Sequence, residues 1–85
     1  MSIIEKVVPF DEYKVLVELE NGNAIILNFS QKIKTLGFSN LENKDKFRKV
    51  YTDGFSILWN HGKIKVSVGE ALEMLQDTRY LFAVV

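Results

Sequence analysis

Asn21-Gly22 stands between two β-patterned runs, Tyr13 to Leu19 and Ala24 to Phe29, and no other feature limits the fold of this chain as tightly. In the first run Val15, Val17 and Leu19 recur at every second position, which puts them on one side of an extended strand. An Asn-Gly pair between two such runs signals a hairpin, because a two-residue type I′ turn needs positive φ at both central positions. That loop predicts positive φ at Asn21 and Gly22 and pairs Leu19 with Ala24, Val17 with Ile26 and Val15 with Asn28. Upstream, Ile3 to Val8 reads as a third strand, closed by Pro9, which cannot donate to a ladder, and by an acidic turn at Asp11-Glu12.

The second half follows the same logic. Lys49 to Thr52 and Phe55 to Trp59 flank Asp53-Gly54, and Ile64 to Val66 follows Trp59 across Asn60-His61-Gly62-Lys63. Two-residue loops pair Val50 with Ile57, Thr52 with Phe55, Trp59 with Ile64 and Ile57 with Val66, and this places Trp59 in the core. Ser30 is set to cap a short helix over Gln31 to Leu36 that ends at Gly37, with Ile33 and Leu36 facing inward. Phe38, Leu41 and Phe47 are spaced as anchors for the polar connection that follows, in which Asn43 can cap a brief turn. Ser67 and Glu70 have the spacing of a capping box, and Val68, Ala71, Leu72 and Leu75 form one helical stripe behind it. The fold class is therefore α+β, two antiparallel three-strand meanders each followed by a short helix. Residues 1–79 form a single domain and 80–85 an apolar C-terminal tail.

A chain of 85 residues buries only about 60% of its surface, so it holds one core. With 47% hydrophobic residues it can fill that core, and with no cysteine it has neither disulfides nor thiolate metal sites, which points to a reducing cytoplasm. No apolar run approaches the ~20 residues of a membrane helix. The net charge is zero, which weighs against bulk capture by nucleic acid or membrane, yet residues 31–66 carry eight lysine or arginine side chains against three carboxylates.

The order of Tyr13-x-Val15-x-Val17-x-Leu19-x-Asn21-Gly22, Asn28-Phe29-Ser30, Gly37-Phe38-x-x-Leu41, Phe47-x-x-Val50 and Trp59-x-x-Gly62 resembles the bacterial Domain of Unknown Function 2442 family over about residues 3–76. The resemblance implies a small α+β protein, in some members fused to a helix-turn-helix domain or encoded beside another small protein, and hence an accessory or regulatory role. This chain departs from the pattern at Lys63-Ile64-Lys65, where many members carry an acidic residue, and at Asn28, where aspartate is usual.

No residue pattern here builds a catalytic site. His61, the single histidine, lies in a tight turn, and the nearest serines, Ser56 and Ser67, read as strand and helix cap. Asp11-Glu12 with Glu18 or Glu20 could face a hard cation, but a solvated turn explains them more simply. No cofactor or metal is expected. The sharper surface is the outer face of the second meander, where the expected register gathers Lys49, Leu58 and Lys65 in one row with Tyr51 and Lys63 beside it. A second is the tail, whose Tyr80, Leu81, Phe82 and Val84 either complete the core or add to another subunit's sheet in a homodimer. The chain reads as a non-enzymatic binding module acting through an unidentified protein partner, with nucleic-acid binding on the Lys/Tyr face as the alternative.

Overall fold

In a computed structural model, which describes residues 3–74 and 81–84, the alternating run becomes β2 (Lys14–Leu19), flanked by β1 (Ile4–Phe10) and β3 (Ala24–Asn28). Leu81–Val84 adds a fourth antiparallel strand beyond β3, β7 in chain order, so the first sheet runs β1-β2-β3-β7. The second sheet is the meander β4 (Tyr51–Thr52), β5 (Ser56–Trp59) and β6 (Ile64–Ser67). The segment set apart as a tail thus belongs, over residues 81–84, to the chain's own sheet; Tyr80 and Val85 lie outside the described residues.

The hairpin forms where Asn21-Gly22 predicts it, but in a different register. Pairs run Glu18 to Ala24, Val17 to Ile25 and Val15 to Leu27. The Leu19 amide donates to the Asn23 carbonyl (2.8 Å) and the Gly22 amide to the Leu19 carbonyl (3.1 Å), which makes a three-residue loop. Only Gly22 has positive φ, +90°, while the Asn21 side chain accepts from the Asn23 amide. A slip of one residue exchanges the faces of a strand. Here it buries Ile25 and Leu27 against Val15 and Val17, where the two-residue loop would have turned Ala24, Ile26 and Asn28 inward. The bulkier apolar pair decides the register. A Cβ on Gly22 meets nothing within 4 Å, so Gly22→Val tests backbone strain alone and is expected to cost about 1 to 2 kcal/mol, read as a lowered urea midpoint.

Three further corrections have local causes. β1 continues through Pro9, opposite Val15, because an edge strand can spare one donor on its outer side. The expected helix over 31–36 shrinks to a 3-10 turn, Lys32–Lys34, with no side-chain cap from Ser30. Ile33 is buried there, but Leu36 lies beyond the turn and is 98% exposed. In the second sheet Thr52 pairs with Ile57 and Tyr51 with Leu58, two positions from the expected register. The Asp53 carboxylate accepts from the Phe55 and Ser56 amides (2.9 Å each), and the Thr52 hydroxyl donates to the Ser56 carbonyl (2.7 Å), so the turn takes four residues.

The pairs Trp59–Ile64 and Ile57–Val66 form as expected. The Asn43 side chain caps α1 (Lys44–Phe47), accepting from the Asp45 and Lys46 amides. Ser67 accepts from the Glu70 amide (3.1 Å) at the start of α2 (Val68–Met74), and its hydroxyl donates to the Glu70 carboxylate. α2 buries Ala71 and Met74, whereas Leu72 of the expected stripe is exposed and Leu75 lies outside the described residues. Leu41 and Phe47 are buried and Phe38 packs partly against the same core, so the connection is pinned where its anchors predict.

Candidate functional site

Pinning that connection places α1 and the segment around it against β4 and the β5–β6 turn, and a groove of about 380 Å³ opens between them. Its lining is Asn40, Leu41, Lys46, Lys49, Tyr51, Asn60 and His61, in which two lysines face no carboxylate. Lys46 donates from Nζ to the Asn40 side-chain oxygen at 2.8 Å, a neutral partner that holds the ammonium without cancelling its charge. Neither Lys46 nor Lys49 belongs to an ion pair found among the described residues.

The wall formed by the β5–β6 turn has an unusual backbone. Asn60, His61 and Gly62 stand in succession at φ of 51°, 56° and 83°, and the Lys63 amide closes the turn onto the Asn60 carbonyl at 3.1 Å. Single left-handed residues are common for asparagine, but two adjacent non-glycine residues cost energy that packing must repay. The Tyr51 ring lies alongside, its hydroxyl 3.6 Å from the place a Cβ would take on Gly62.

Of the five residues expected on one outer face, Lys49, Tyr51, Lys63 and Lys65 are exposed. Leu58 is not: it is only 7% exposed, because its cross-strand neighbours are Tyr51 on one side and Lys65 on the other, and large side chains at that spacing cover the residue between them. The expected row is thereby corrected to Tyr51, Leu58 and Lys65, and the site divides. Lys49 and Tyr51 turn to the groove, while Lys65 acts on Asp53. The Asp53 carboxyl is held below its ordinary 3.8 chiefly by the Phe55 amide; desolvation, the next largest influence, opposes this, and the Ser56 amide and the Lys65 charge add to the lowering. Its contribution to the turn is present above the unfolded pKa and fades as pH falls through the lowered folded value.

Asn40, Lys46 and Asn60 complete the lining without having been singled out in the sequence. Lys46 belongs to the basic middle segment, which was a usable signal; the two asparagines carry none beyond turn chemistry. His61 is the turn residue its position predicts. Ser56 is buried in β5 and Ser67 caps α2, so neither faces it as a nucleophile. The acidic residues of the first sheet do not converge: Asp11 meets Arg48, Glu12 meets Lys14 and Glu18 meets Lys6, at 3.4, 3.2 and 3.3 Å. Among the described residues no group of three or more His, Cys, Asp and Glu side chains is placed to hold a metal ion, and no helix is long and apolar enough to cross a membrane. Comparison with known proteins finds no match to this chain among family models, curated proteins or solved structures.

Proposed function

We propose that this chain is a non-enzymatic binding module of the cytoplasm whose Lys46–Lys49–Tyr51 groove takes an acidic segment of a partner protein. One observation carries the reading: two lysines and an exposed tyrosine line a concave surface that contains no carboxylate. Charge of one sign in a cleft draws the opposite sign from solution and orients it, and tyrosine adds apolar contact at low entropic cost. The lack of cysteine and the sequence resemblance to a family of small accessory proteins support the same assignment.

The test uses a glutamate-rich peptide as probe. Lys46→Glu with Lys49→Glu is expected to keep the circular dichroism of the parent and to weaken peptide binding at least tenfold, a loss of ~1.4 kcal/mol. Equal affinities for parent and double variant would overturn the assignment. The Tyr51 ring favours a second reading, single-stranded nucleic acid with a base stacked on tyrosine and phosphates on the lysines. A mixed-sequence oligonucleotide that binds more tightly than the peptide, with affinity falling steeply as salt rises, would select it.

A further inference from the structure

Among the described residues the two sheets present four edges, and three of them carry a device against pairing with another chain. β1 has Glu5, Lys6 and Pro9, and the amides of Ile3 and Ile4 ahead of and at its start are both taken by the Gly54 carbonyl. β4 is two residues long and adjoins β1. β6 carries an exposed lysine, Lys65, with Lys63 just before it. Charges, proline and shortness of this kind are how sheet edges avoid adding further strands. β7 is the exception. Its segment, residues 80–85, contains neither a charged side chain nor a proline, and no described strand lies on its outer side. The one irregularity, a register shift between Ile26 and Leu27, adds twist but puts no charge at the edge.

A second feature points in the same direction. Val8, Leu16 and Ile26 occupy successive positions straight across the first sheet, on the face opposite the buried Val15, Val17, Ile25 and Leu27, and the register continues from Ile26 to Ala83 of β7. Val8, Leu16 and Ile26 are each half-buried. The row therefore runs as an apolar stripe up to β3, the strand beside β7.

We propose that β7 pairs antiparallel with β7 of a second copy about a two-fold axis, joining two four-stranded sheets into one. The occupant is another copy of this chain because an apolar, uncharged strand is complementary to itself. A two-fold satisfies both open edges at once, and chains of zero net charge do not repel each other in bulk. The pairing also brings the two apolar stripes onto one continuous sheet. It differs from exchange of the tail, since each β7 stays on its own β3.

Sedimentation equilibrium of the full chain tests this directly. The weight-average mass is expected to rise from one chain toward two between low and high micromolar concentration; a single-chain mass held to about 500 µM, a load at which even a weak contact of Kd ~100 µM would show, overturns the proposal. Ala83→Lys and Ala83→Glu, each placing a like charge on both of the paired strands, are each expected to be monomeric with parental Trp59 emission, and their equimolar mixture to regain the dimer mass. A lysine variant that stays dimeric would overturn edge pairing in favour of tail exchange, and a mixture that stays monomeric would also overturn it.

Discussion

Trp59→Ala is expected to remove a large fraction of the stability of the chain, about 3 to 5 kcal/mol. The indole is fully buried, its ring centroid 5.3 Å from that of Phe29 and 5.7 Å from that of Phe47, and its Nε1–H donates to the Phe47 carbonyl at 3.0 Å. Tyr13 and Phe29 pack edge-on against Phe47 in turn, so one side chain ties β5, the end of α1 and the first sheet together. Truncating a core tryptophan costs about 3 to 5 kcal/mol, and a domain of this size has roughly 4 to 13 kcal/mol in all. The loss should appear in far-ultraviolet circular dichroism as a melting temperature lower by roughly 10 °C or more. Trp59→Phe separates packing from hydrogen bonding: it keeps a ring but removes the indole donor from the Phe47 carbonyl, which retains the Val50 amide at 3.3 Å, for an expected cost of about 0.5 to 1.5 kcal/mol. A melting temperature for Trp59→Ala within a few degrees of the parent would contradict this account of the core.

The second large effect is expected at Gly54, which is buried, stands at φ +96° and joins the two sheets through its carbonyl, 2.8 Å from both the Ile3 and Ile4 amides. Its own amide donates to the Thr52 hydroxyl at 3.0 Å. A β-branched side chain at that φ is strained, and relaxing the strain would move a carbonyl that two amides depend on. Gly54→Val should therefore cost about 2 to 4 kcal/mol, more than the same change at the open Gly22 loop, and urea titrations of the two variants side by side would show the difference. Equal costs at the two glycines would mean that the junction contributes nothing beyond local strain.

Local chemistry was readable in the sequence wherever a few neighbouring residues settle it. Asn43 and Ser67 cap the helices they announce, and Leu41 and Phe47 bury the connection they were spaced to hold. Register was less readable, because it answers to a whole face. The pair Asn21-Gly22 fixes that a hairpin forms, but the burial of Ile25 and Leu27 fixes how its strands align. At Asp53 the side chain reshapes the turn by accepting two amides, a choice that residue type alone leaves open. For the site, Lys49 and Tyr51 were visible as part of a face, but Asn40, Lys46 and Asn60 join them only through the folding of a connection whose path depends on the core. Leu58 was misplaced for a related reason: strand parity says which side a residue takes and nothing of what its neighbours cover.

The fourth strand has a consequence for the order in which the protein is made. β3 meets β2 across three loop residues, whereas its other partner, β7, lies far downstream of it in the chain. The first meander can close before β7 is added, since hairpins form in microseconds and residues are added at only about 5 to 20 per second. For that interval the open edge of the first sheet is β3 itself, Ala24-Ile25-Ile26-Leu27-Asn28, an uncharged strand and a ready template for a neighbouring nascent chain. Polysomes translating this message bring such edges close together. The late arrival of residues 81–84 ends that exposure, and shortening the chain before them would make it permanent.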